Sequence, residues 1–292
     1  MKQWDTVAIV GVGLIGGSIG RDLLARKMAR RVIGIGRRAA SLRQAKQIGA
    51  VTETTLNLAQ GTAEAQLVIV CTPVGRIIDD VRAAAAAATS NSAKSPMLIT
   101  DVGSTKGSIV AALDGKLPSN AVFVGSHPLA GSEKNGPTAA VVGLFQKRVV
   151  VVTPSPKSPP RAVAAVESFW KRLGAQVVKM SAEEHDQALA ATSHVPHVVA
   201  SALSGSTPEE YLKLTAGGWL DTTRIAAADG PLWWQILDDN RRHVVAGLKT
   251  VEERLAALRQ AIERRDETEV LKLLADGKRV REAATKRRSR TT

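Results

Sequence analysis

Three of the five histidines in this 292-residue chain stand in short polar motifs rather than on apolar faces. His127 lies in GSHPLAGSEKNGP (125–137), and His194 and His197 lie three apart in ATSHVPHVVA (191–200). A neutral imidazole can accept a proton from a substrate hydroxyl near neutral pH. Two further motifs carry complementary groups: TDVGSTKG (100–107), with Ser104, and GGWLDTTRIA (217–226), with Asp221 and Arg224. An arginine fork suits a substrate carboxylate. Metal chemistry is not expected, because His194 and His197 alone do not make a zinc site, Cys71 is the single cysteine, and no His-Glu-x-x-His helix is present.

These groups need a scaffold, and the hydrophobic pattern supplies one. From Thr6 to Met180 the runs TVAIVG, RVIGIG, LVIVCT, MLITDV, AVFVG, KRVVVVT and AQVVKM alternate with helical stretches. Runs apolar throughout are typical of strands buried on both faces, so the expectation is an α/β fold: a Rossmann-type, doubly wound, mainly parallel sheet. The alanine run VRAAAAAAT (81–89) reads as a helix, followed by a surface loop at SNSAKSP. After Met180 the strand signals stop. A dinucleotide-binding domain over 1–181 and an all-helical domain over 182–292 follow. In the latter, Val245, Leu248, Val251, Leu255, Leu258 and Ile262 recur at helical spacing between Asp239 and Arg265. Such stripes exceed what one small core can bury, which predicts a homodimer formed through the helical domain.

GVGLIG (11–16) follows the first strand and opens a helix. In this Gly-x-Gly-x-x-Gly pattern Gly11 makes the tight turn, Gly13 lets backbone approach a pyrophosphate, and Gly16 lets helix and strand pack closely. The helix N-terminus then faces the phosphate charge. Dinucleotide enzymes that use NAD usually place Asp or Glu at the end of the second strand, to bond the ribose 2′-hydroxyl. Here IGIGRRAAS (33–41) has no carboxylate, and Arg37 and Arg38 offer cations suited to a 2′-phosphate. NADP is therefore favoured over NAD. Cofactor contacts are expected from Gly11, Gly13, Leu14, Ile15 and Gly16, from Arg37 and Arg38, and from Thr72, Pro73 and Asp101 at later strand ends.

The formal charge of +13, densest at KRRSRTT from 286, raises the question of nucleic acid. With 3% aromatic residues and no zinc-finger or helix-turn-helix signature, a solvated cationic surface is the simpler reading. No apolar run reaches the roughly 20 residues of a membrane span, and the N-terminus lacks the parts of a signal peptide, so a cytoplasmic location is expected.

Taken together, GVGLIGGS (11–18), DVGSTKG (101–107), GSHPLAGSEKNG (125–136), SHVPH (193–197) and GGWLDTTRIA with Trp233 and Asn240 resemble the prephenate and arogenate dehydrogenases of tyrosine biosynthesis. The resemblance spans nearly the whole chain and implies hydride transfer from C4 of prephenate to NAD(P), with decarboxylation. It gives His127 the role of bonding the C4 hydroxyl as hydride leaves, and Ser104 that of bonding the same hydroxyl and orienting the nicotinamide. Arg224 matches the arginine that binds a substrate carboxylate, and His197 a substrate-binding histidine. His194, Glu133 and Trp233 match the pocket wall or its access, although core packing accounts equally well for Trp233 and Trp234. The resemblance leaves prephenate and arogenate as alternatives, with prephenate favoured because Glu133 is retained in GSEKNG. A catalytically inactive dinucleotide-binding or nucleic-acid-binding protein is the more distant alternative. With no regulatory domain appended after the last helix, any feedback by tyrosine would have to act at the active site.

Overall fold

The structure, a computed structural model, describes residues 4–88, 96–130 and 136–289. The strands are β1 (Trp4–Val10), β2 (Ala29–Ile35), β3 (Glu53–Thr55), β4 (Leu67–Val70), β5 (Met97–Asp101), β6 (Ala121–Phe123), β7 (Gly125–Pro128), β8 (Val149–Thr153) and β9 (Gln176–Lys179). The first six form one parallel sheet in the order β3-β2-β1-β4-β5-β6. Strand order reverses between β1 and β4, and the crevice at that switch point is where an open α/β sheet binds its ligands.

The helices around it are α1 (Leu14–Ala25), α2 (Ala39–Gln47), α3 (Leu58–Thr62), α4 (Val74–Ala87), α5 (Gly107–Leu113) and α6 (Pro160–Arg172). Strand alternation explains the two-sided core. Val7 and Ile9 face one side with Ile19 and Leu23 of α1 and Phe169 and Trp170 of α6, whereas Ala8 and Val10 face the other with Ile77 and Val81 of α4. Each large aliphatic side chain buried this way contributes about 1.5–3 kcal/mol relative to exposure.

The strand expectation needs three corrections. The runs at 149–153 and 176–179 do not join the parallel sheet; they form a second sheet, β7-β8-β9, in which β7 is antiparallel to β8 and β8 parallel to β9. The segment GSHP, absent from the expected strands, is β7, with His127 opposite Val151. Four residues with a proline carry little periodic signal, and only the ladder with β8 reveals them. Strand β3 was also missed, for the same reason of length. The alanine run does lie in a helix, α4, and the residues 89–95 that follow are outside the described part.

Every element after β9 is helical: α7 (Ala182–Leu189), α8 (Val195–Gly205), α9 (Gly217–Thr223), α10 (Gly230–Asp239), α11 (Arg241–Glu263) and α12 (Glu267–Ser289), with a π-helical turn over Ala190–His194 between α7 and α8. Ser181 starts α7 with a capping box, its hydroxyl accepting from the Glu184 amide while the Glu184 carboxylate accepts from the Ser181 amide. The long stripe is divided: Leu248 and Val251 pack on Val195 and Val244, while Val245, Leu255 and Ile262 are exposed in the single chain.

Close packing of α1 depends on missing side chains. A Cβ at Gly20 would stand 2.0 Å from the carbonyl oxygen of Ala50, whereas one at Gly205 would meet nothing within 4 Å. Gly20→Ala should therefore lower the unfolding free energy by about 1–3 kcal/mol. Gly205→Ala should not, and urea unfolding of the two variants side by side checks this.

Candidate functional site

The glycine loop shows three separate requirements. Gly11 has φ +93°, and a Cβ there would meet the Cys71 carbonyl oxygen at 2.7 Å; at Gly16 it would stand 2.2 Å from the Gly11 carbonyl oxygen. At Gly13, the N-cap of α1, a Cβ would meet nothing, so the backbone there is open to a ligand approaching the helix N-terminus. Leu14 and Ile15 begin the helix and are half-buried. The loop opens on a cavity of about 670 Å³ that also borders Thr72, Pro73, Arg37 and Arg38.

Arg37 and Arg38 are exposed at this cavity and make no ion pair among the described residues; Arg38 is the N-cap of α2. Ser41 and Arg76 border the same space. Arg76 went unmarked in the sequence because it comes from the first turn of α4, far along the chain. The Asp80 carboxylate bordering the cavity is occupied, accepting from Thr72 Oγ1 at 2.7 Å and from Arg76 at 3.3 Å. A glycine cradle at a helix N-terminus beside unpaired cations fits a dinucleotide. When bound, its nicotinamide would supply a hydride acceptor.

Next to this crevice, two segments are fastened by two buried carboxylates. Asp101, at the end of β5, is fully buried; it pairs with the equally buried Lys106 and accepts from the amides of Gly103 (2.9 Å) and Ser126 (3.1 Å). This corrects the expectation that Asp101 touches cofactor, since its oxygens are enclosed and already engaged. Ser126 bonds the Asp101 carbonyl through its hydroxyl and accepts from Trp170 Nε1 at 3.0 Å. On the other side, Asp186 of α7 accepts from the amides of Lys106 (2.8 Å) and Gly107 (2.7 Å). Between these anchors, Ser104 sits half-buried on the turn.

Strand alternation sends Ser126 inward and His127 to the opposite face, toward α7. There His127 Nδ1 lies 2.9 Å from His185 Nε2, and His185 Nδ1 lies 2.8 Å from Asp186 Oδ1. Asp186 stays ionised: burial opposes this, but hydrogen bonds from His185 and the two amides outweigh it and lower its pKa. An ionised carboxylate only accepts, so His185 donates from Nδ1. A neutral His185 then accepts at Nε2, which makes His127 the donor at Nδ1 and leaves the lone pair on His127 Nε2. Burial, followed by the electrostatic influence of the neighbouring His185, Lys106 and His194, holds the His127 pKa well below the ordinary histidine value, so it rests neutral. His185, Asp186, Lys106, Ser126 and Trp170 were missed in the sequence. The adjacent pair His185-Asp186 was the available signal, but nothing local tied it to His127, 58 residues away.

The helical half supplies a second group. His197 is buried and stacks on Trp233 with centroids 3.5 Å apart and planes 6° from parallel; His194, also buried, meets the same indole edge-on. Asn240, at the break between α10 and α11, bonds His194 Nδ1 (3.1 Å) and the Asp186 carbonyl (2.7 Å). Trp233 also packs against the sheet core, whereas Trp234 is 65% exposed, so core packing does not account for Trp234. Arg224 is exposed, begins a 3₁₀ turn that packs on α8, and makes no hydrogen bond or ion pair among the described residues. The structure links His127 to His194, and His194 and His197 to Trp233, through His185, Asp186 and Asn240, with Ser104 on the adjoining turn and Arg224 exposed. Glu133 lies outside the described residues. Among those residues no group of three or more His, Cys, Asp and Glu could hold a metal ion, and no helix is long and apolar enough to cross a membrane.

Comparison with known proteins gives consistent matches. The family profile "Prephenate dehydrogenase, nucleotide-binding domain" matches residues 19–179, and "Prephenate dehydrogenase, dimerization domain" matches 181–276. The chain is 34% identical over 288 residues to a cyclohexadienyl dehydrogenase of Zymomonas mobilis, covering 96% of each protein. It is also 34% identical over 268 residues to a prephenate dehydrogenase of Bacillus subtilis, covering 90% of this chain and 71% of the relative. The crystal structure of prephenate dehydrogenase from Aquifex aeolicus in complex with hydroxyphenyl propionate and NAD+ superposes with a TM-score of 0.87 at 31% identity, over 96% of this chain and 98% of that one.

Burial lowers the pKa of His127, of His197 and of His194, the last from 6.5 to about 4. In the unfolded chain these imidazoles take up protons near their ordinary value, while in the folded protein they resist. Their contribution to stability is therefore complete above about pH 6.5 and is lost as pH falls from there toward 4. Urea midpoints measured across that range should decline, and His194→Asn should make the decline shallower.

Proposed function

The chain belongs to the prephenate dehydrogenase family, nicotinamide-dependent enzymes of tyrosine biosynthesis, and we propose that it oxidises and decarboxylates prephenate with NADP as the preferred hydride acceptor. The observation that carries the cofactor choice is the pair Arg37 and Arg38. They are exposed and unpaired at the cavity, at the end of a second strand that offers no carboxylate for a ribose hydroxyl.

In this reading the C4 hydroxyl of prephenate bonds His127 Nε2 and Ser104. His127 takes the hydroxyl proton while hydride leaves C4, and the ring carboxylate then departs as carbon dioxide, making the ring aromatic. Aromatisation drives the reaction, so the protein's work is alignment and proton handling. His197, held flat on Trp233, forms the pocket wall with His194. Arg224 binds a substrate carboxylate from the rim. Gly11, Gly13, Gly16, Thr72 and Pro73 contact the cofactor. The division lies at Ser181, and two copies associate through the helical domain, where the exposed Val245, Leu255 and Ile262 support a covered face.

Arogenate is the second reading. A relative aligned over 96% of its length is named for the cyclohexadienyl ring that prephenate and arogenate share, which favours a site that reads the ring.

Purified protein assayed with prephenate or arogenate, each with NAD or NADP, should give the fastest nicotinamide reduction with prephenate and NADP. Arg37→Ala should weaken NADP far more than NAD; equal losses would refute the assignment. His127→Asn should lower kcat roughly 10²- to 10⁴-fold with the fold intact.

A further inference from the structure

We propose that His185 and Asp186 form a closed proton store for His127, holding the proton taken from the substrate hydroxyl until the aromatic product reclaims it. The inference rests on His127 as the base proposed above. Its observations are the continuous chain His127 Nδ1 to His185 Nε2 (2.9 Å) and His185 Nδ1 to Asp186 Oδ1 (2.8 Å), and the complete burial of His185.

The atoms and electrons balance without solvent. As the C4–H bond breaks, its electron pair leaves with hydrogen as hydride, reducing the nicotinamide and oxidising the ring. The O–H proton forms a bond to His127 Nε2, and the Nδ1 proton of His127 moves to His185 Nε2. The positive charge then rests on His185, against the Asp186 carboxylate, rather than on His127. Loss of carbon dioxide leaves the bond's electron pair in the ring, which becomes a phenolate. The phenolate oxygen takes the proton back from His127 Nε2 as the His127–His185 proton returns. Net proton uptake and release are both zero, so a fully enclosed His185 needs no channel to water.

The surroundings explain why the charge is moved. Burial and the nearby Lys106 oppose an imidazolium at His127, whose Nδ1 meets a ring nitrogen of His185 rather than a carboxylate. One ring further on, the same charge meets the carboxylate of Asp186. His185 and Asp186 are thus positioning residues that act through His127.

His185→Gln separates orientation from storage. A glutamine amide can accept from His127 Nδ1 through its oxygen and donate to Asp186 through its nitrogen, but it cannot take up the proton. With prephenate and NADP we expect kcat to fall roughly 10²-fold, the lower end of what a positioned base contributes, with KM nearly unchanged and the acid limb of the kcat profile moved to lower pH. Wild-type kcat with an unmoved acid limb would overturn the store and leave His127 as the base. Near-normal turnover of His127→Asn would instead refute the base itself. NADP binding and thermal unfolding check that His185→Gln is folded. If it is not, nitrogen-15 spectra of wild-type protein labelled at histidine decide: His127 protonated at Nδ1 and bare at Nε2 supports the store, and the opposite tautomer overturns it.

Discussion

The buried ion pair between Asp101 and Lys106 is the interaction on which the site's geometry hangs. Both side chains are fully enclosed, and two charges taken out of water are tolerable only when each is paired and hydrogen-bonded. Asp101 meets that condition by gathering the amides of Gly103 and Ser126, which ties the turn after β5 to the start of β7. Deleting one partner would leave an uncompensated charge in the core. The turn carrying Ser104 and the strand carrying His127 are therefore fixed to each other by electrostatic necessity.

A second carboxylate extends this constraint into the helical half. Asp186 takes the amides of Lys106 and Gly107 and orients His185, while its own carbonyl accepts from Asn240. A Cβ on Gly107 would approach Asp186 Oδ2 to 2.8 Å, so the glycine is what allows the carboxylate to reach the backbone. The two halves meet again where the Gly75 amide donates to Gln235 and Trp233 packs on the sheet core. The cofactor crevice and the histidine group thus share one hydrogen-bonded joint.

That joint sets the state of the histidines. Burial keeps His127, His194 and His197 neutral, the form in which an imidazole can accept a proton. The same burial weakens His127 as a base, which makes its ring neighbours part of its chemistry. A histidine exposed on a loop would keep ordinary basicity but would lack a fixed tautomer.

The parallel sheet, the glycine loop with its three distinct demands, the arginines at the second strand end and the change to helix after Met180 are all legible in the amino-acid order. Each of these rests on neighbours a few residues apart, where periodicity and backbone sterics act. Unusual polar motifs in the sequence also mark His127, Ser104, His194, His197 and Trp233 as candidates, because such motifs stand out locally. Only the tertiary structure decided that GSHP is a strand, that the last strands form their own sheet, and that Asp101 braces the turn from inside. The His127–His185–Asp186 chain belongs to this second group. Its members come from β7 and α7, and only the packing of α7 against the second sheet, together with the demand that buried charges find partners, brings them within hydrogen-bonding distance.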